Sequence, residues 1–168
     1  MRTEIIVLFV ISAVLGFYLY TLTLGRVKLD STEGLISYVA PIFEDITGKE
    51  LVVTSAERDA FKQGQLMLRN YHMGVDLYIL YKRHDLLDKI MPHIKDGNVL
   101  EIENELKRQM NVGDYISKHL CGQAIDIRSR HLTMNQRIEV VKRLNKTKEV
   151  MAINEGTHIH IQTVGECK

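Results

Sequence analysis

Two short stretches of the chain carry residue types that can hold a metal ion. Ser117-Lys-His-Leu-Cys-Gly-Gln-Ala-Ile-Asp-Ile127 contains His119 and Asp126, and Thr157-His-Ile-His-Ile161 contains His158 and His160. In the first stretch Ile125 and Ile127 alternate with Ala124, Asp126 and Arg128. A strand there turns the isoleucines toward a core and Asp126 to the opposite face. In the second, Ile159 and Ile161 share one face while His158 and His160 share the other. Antiparallel pairing of the two strands brings an aspartate and a histidine to about 5 Å at Cβ. His119, at the mouth of the preceding loop, can supply a third ligand. Two imidazoles, one carboxylate and an open position make a donor set for a catalytic zinc ion.

Helices and strands must bring these stretches together. Ser31 or Thr32 caps a helix running to about Ile46, with Leu35, Ile36, Val39, Ile42 and Phe43 on its apolar side and Gly48 at its end. Leu51 to Thr54 is β-branched and reads as a short strand, after which Ser55 caps a helix from Ala56 to about His72. Val75 to Ile94 fits a helix or a strand followed by a helix, and Val99 to Met110 is a clear amphipathic helix. Gly113 to Gly122 is loop-like, Gln123 to Arg128 a strand, and Thr133 to Leu144 a helix with Ile138, Val141 and Leu144 inward. Two strands close the chain, Glu149 to Ile153 and Thr157 to Val164. Helices first and strands late predict an α+β fold: a small antiparallel sheet that carries the metal site, flanked by helices.

The 168 residues are 45% hydrophobic and 26% charged, a globular composition. A formal charge of +1 disfavours a nucleic-acid binder working through a broad basic face. Ile5 to Leu24 is twenty residues without a charge, enough for ~30 Å of helix, about one bilayer core. No Ala-x-Ala cleavage pattern follows, so this run is expected to be an uncleaved transmembrane helix rather than a signal peptide. Residues 1–28 are then a membrane anchor, 29–50 a juxtamembrane linker and helix, and 51–168 the domain with the chemistry. The anchor segment holds three basic residues and one acidic, so the remaining 140 residues carry 19 basic against 20 acidic. Expected is a single-pass protein of the cell membrane with its globular part extracytoplasmic, in a periplasm-like compartment. Arg26 and Lys28 after the span, against Arg2 before it, favour the reverse orientation, although long domains translocate despite a few charges. Cys121 and Cys167 would pair in an exported domain and stay reduced in a cytosolic one.

Ser117-Lys-His119-Leu-Cys-Gly122-Gln-Ala124-Ile-Asp126 resembles the Ser-x-His-x-x-Gly-x-Ala-x-Asp signature of the zinc D-Ala-D-Ala carboxypeptidase and L-alanyl-D-glutamate endopeptidase superfamily. His158-Ile-His160 is similar to the closing His-x-His of its murein endopeptidase branch and of the related Hedgehog signalling domain. Val53-Thr-Ser55-Ala-Glu-Arg58 resembles the strand ending in Ser-x-x-Arg, with Gln63 following. The resemblance implies a zinc peptidase acting on peptidoglycan stem peptides, with His119, Asp126 and His160 as ligands. It implies that Arg58 faces the substrate, alongside Ser55 and Ser117, and that His158 or Glu155 moves the proton. Glu155-Gly-Thr-His158 also fits the Glu-x-x-His spacing in which His158 is the ligand. Two other roles fit the same fold: a zinc-containing binding module without catalysis, and a phage-type lysis endopeptidase.

Overall fold

The computed structural model describes residues 28–167. The proposed membrane span, Ile5 to Leu24, lies outside the described residues; within them no helix is long and apolar enough to cross a membrane. The chain runs α1 (Thr32–Thr47), β1 (Val53–Ser55), α2 (Ala60–His72), α3 (Leu77–Leu80), α4 (His84–Lys95) and α5 (Val99–Asn111). A 3-10 turn (Lys118–Cys121), β2 (Ala124–Arg128), α6 (Met134–Lys146), β3 (Val150–Asn154) and β4 (His158–Thr163) follow. The fold is α+β, with one four-stranded antiparallel sheet in the order β1-β2-β4-β3.

Two apolar cores form. In the first, α1 and α6 lie on the isoleucine face of the sheet. Leu35, Val39 and Phe43 of α1 and Val140 and Leu144 of α6 are buried against Ile125, Ile127, Ile159 and Ile161. Ser31 caps α1 by accepting from the Gly34 amide, and Thr133 and Gln136 form a reciprocal capping box at the start of α6. The second core is helical: Met67, Leu86, Leu87, Ile90, Ile94, Ile102 and Leu106 join α2, α4 and α5, and Leu120 of the 3-10 turn joins them. His119 precedes Leu120 and Asp126 sits between Ile125 and Ile127, so these two side chains lie at the seam of the two cores.

Two expectations need correcting. The second helix starts at Ala60 with Asp59 as its cap, not at Ala56 behind Ser55. The intervening residues form no helix, and the Arg58 amide donates to the His119 carbonyl across the site. On α6, Ile138 points outward at 54% exposed and Val140 takes the inward position.

Candidate metal centre

Strand register assembles the centre. Asp126 of β2 lies directly opposite His160 of β4, and Arg128 opposite His158. β1 is irregular: Val53 pairs with Ile127 and Ser55 with Asp126, so two residues of β1 span one step of β2. Such a bulge re-aims the strand, here turning Ser55 and the segment leading to Arg58 toward Asp126. His119 arrives on the 3-10 turn, whose first amides are capped by Ser117; Oγ of Ser117 accepts from the His119 amide. Gly122 ends that turn at φ 68°, a left-handed conformation open to glycine, and the chain reverses into β2.

The ligand atoms of His119, Asp126 and His160 all lie within 4.8 Å of one another, and the group can hold a metal ion. Asp126 Oδ1 is 3.5 Å from His119 Nε2 and 2.8 Å from His160 Nδ1. Donors about 2.0–2.1 Å from a tetrahedral ion stand roughly 3.3–3.4 Å apart; the His119–Asp126 separation is close to that, while the His160–Asp126 contact is shorter, at hydrogen-bond length. His119 is 2% exposed and Asp126 6%. His119 Nδ1 bonds the Ala56 carbonyl at 2.6 Å, which turns Nε2 toward Asp126. Burial opposes ionisation of Asp126, but hydrogen bonds and charge from His119 and His160 outweigh it and hold the carboxyl well below its usual range. Burial also opposes the charged form of His160; hydrogen bonds to Asp126 and Gln162 outweigh it and raise the imidazole pKa.

Arg58 is the fourth wall. Its Nη2 donates to Asp126 Oδ2 at 2.7 Å, Nε to Ser55 Oγ at 3.0 Å and Nη1 to Gln63 Oε1 at 3.4 Å. The two carboxylate oxygens of Asp126 are thus divided, Oδ1 toward the histidines and Oδ2 toward Arg58. Gln63 in turn donates to the Tyr81 hydroxyl at 2.9 Å, and burial pushes that phenol up to about 12, against the partial pull of Arg58 and Gln63.

His158 lies two residues before His160 on the same face but outside the three-residue group. Its Nε2 is 2.8 Å from Glu155 Oε2, and its Nδ1 is 3.1 Å from the Thr157 hydroxyl. The β3–β4 turn sets this pair: Gly156 adopts φ 81°, and the Glu155 amide bonds the His158 carbonyl. Ser129 and Arg137 both donate to the Gly156 carbonyl and brace the turn from outside.

The structure therefore gathers His119, Asp126, His160, Arg58 and Ser55, sets Glu155 and His158 beside them as a pair, and uses Ser117 to cap the turn below His119. The Ser55 and Ser117 hydroxyls are occupied by Arg58 and the His119 amide. Sequence reasoning missed Gln162, two residues past His160 on the same alternating face, and the Ala56 carbonyl, which leaves no mark in a sequence. Cys121 and Cys167 are disulfide-bonded, tying the C-terminal segment to the turn that carries His119. Compared with protein-family models, curated proteins and solved structures, the chain matches none.

Proposed function

We propose that this chain is a membrane-anchored zinc metallopeptidase that cleaves peptidoglycan stem peptides. The observation that carries the proposal is the meeting of His119 Nε2, Asp126 Oδ1 and His160 Nδ1, with a Glu155–His158 pair next along the same sheet face. Two nitrogens and one oxygen leave the fourth position of a tetrahedral ion open, the donor pattern of catalytic rather than structural zinc. Zinc bound there would supply Lewis acidity, polarising a peptide carbonyl and acidifying water toward neutral pH.

The protein's own groups do the rest. Glu155 Oε2 and His158 Nε2 share a proton position at 2.8 Å and can accept a proton and return it to a leaving amine. Arg58 spends three N–H groups on Ser55, Gln63 and Asp126, leaving one on each Nη to meet a substrate oxygen. Its positive charge also steadies developing negative charge at that oxygen. Support for the substrate comes from the Ser-x-His-x-x-Gly-x-Ala-x-Asp resemblance. The uncharged run Ile5 to Leu24 supports an anchor, and the disulfide supports an oxidising, extracytoplasmic compartment.

The test is digestion of purified sacculi by the full chain in mild detergent, with release of D-alanine or stem-peptide fragments followed by mass spectrometry. Release abolished by a chelator, restored by zinc and absent in His160→Ala is expected. Cleavage that persists in the chelator and in the variant would overturn the proposal.

A further inference from the structure

β4 carries one more side chain on the face of His158 and His160, at the spacing of two that strand alternation imposes. Gln162 follows His158 and His160 on β4. Its Oε1 lies 3.2 Å from His160 Nε2, while the other ring nitrogen, Nδ1, lies 2.8 Å from Asp126 Oδ1. His119 is held the opposite way round, with Nδ1 on the Ala56 carbonyl and Nε2 toward Asp126. The two histidines therefore present different nitrogens to the same point.

Choosing the nitrogen is a tautomer problem. A neutral imidazole carries one N–H, a metal takes the bare nitrogen, and the N–H needs an acceptor on its far side. A backbone carbonyl does this for His119. Among the described residues no backbone group bonds the His160 ring, and the amide oxygen of Gln162 stands there instead. An amide oxygen only accepts, so once Nδ1 is given to a metal the proton left on Nε2 has its acceptor in Gln162. Ala124 of β2 and Met151 of β3 are the register partners of Gln162, and neither offers a side-chain hydrogen-bond donor that competes with His160 for the amide oxygen.

We propose that Gln162 is a positioning residue that fixes His160 in the tautomer whose Nδ1 faces Asp126 and the metal. It rests on the metal-centre reading above but is separable from it. Outer partners of ligating histidines typically contribute about 10–100-fold to metal affinity. Gln162→Met keeps length and removes the acceptor. Gln162→Glu keeps an acceptor and strengthens it.

The full chain in mild detergent and its Gln162→Met, Gln162→Glu and His160→Ala variants are titrated with Zn2+ against a competing chromophoric chelator. Long-range 1H–15N spectra of the zinc-loaded wild type identify the protonated nitrogen of His160. Expected are an affinity loss of about 10–100-fold in Gln162→Met, wild-type affinity or better in Gln162→Glu, and a proton on Nε2. Gln162→Met within twofold of wild type, or zinc on Nε2, would overturn the inference and leave the metal centre standing. Wild type that takes up no zinc, or His160→Ala that binds as wild type does, would overturn both.

Discussion

Nδ1 of His160 is where a proton and a metal ion compete, and the competition sets the sign of two pH dependences. In the metal-free protein His160 has a raised pKa, facing Asp126, with His119, Arg58 and Glu155 around it. Its stabilising contribution is fully present below the unfolded value of 6.5 and is lost as pH rises through the higher folded value. Asp126, held low, contributes above its unfolded value of 3.8 and loses that contribution as pH falls through the folded one. The metal-free chain should thus melt at a lower temperature at about pH 8 than at about pH 6, with His160→Ala flattening the difference. Zinc should reverse the trend, stabilising more at the higher pH where no proton must leave. Equal melting temperatures at both pH values in the metal-free wild type would contradict this. For Glu155→Gln and His158→Ala, kcat should fall by about 10²–10⁴-fold with zinc content unchanged, measured by elemental analysis beside peptide release. That Asp126 and His160 share a face was legible because alternation fixes it; His119, on the preceding turn, carries no such periodic signal. The second role of Arg58, dividing the carboxylate of Asp126, was not, because the register that brings β1 against β2 contains a bulge.

At the scale of elements, the β3–β4 hairpin is the piece on which the proposed chemistry leans. Glu155 and His158 meet because Gly156 takes a left-handed conformation, and nothing crowds the place where its Cβ would stand. Gly156→Ala therefore adds backbone strain and no clash, and should cost about 1–2 kcal/mol in a denaturant titration. Arg137→Ala removes an outside brace from the same turn and should lower activity more than metal affinity, since Arg137 touches the Gly156 carbonyl and no metal-holding residue. The strands carrying Asp126 and His160 were readable from period-two alternation, and the helix from Val99 from its apolar stripe. The start of α2 was not readable: Ser55 is a good capping residue by type, yet its hydroxyl is taken by Arg58 and the local amide by His119. Asp126 also escaped the usual solvent-facing fate of a polar strand residue. The 3-10 turn and the segment before α2 cover its face, a long-range event that local pattern cannot report.

For the whole molecule, the seam between a sheet-based core and a helical core makes the site depend on both. His119 comes with the helical side through Leu120, while Asp126 and His160 come with the sheet. The Cys121–Cys167 bond spans 46 residues, and closing such a loop contributes about 3–4 kcal/mol. Cys167→Ser should therefore lower the denaturation midpoint and weaken zinc binding through the loosened turn; a midpoint equal to wild type would contradict the first expectation. The bond has another effect, on what a cut chain does. Asp126, Glu155, His158 and His160 all lie inside the covalent ring from 121 to 167, and α6 passes into β3 at an exposed Lys148. A trypsin-like nick after Lys148 would leave both fragments joined, running as one species on a non-reducing gel and as two after reduction. Where proteases are plentiful, a severed chain would keep His119, Asp126 and His160 tethered to one another.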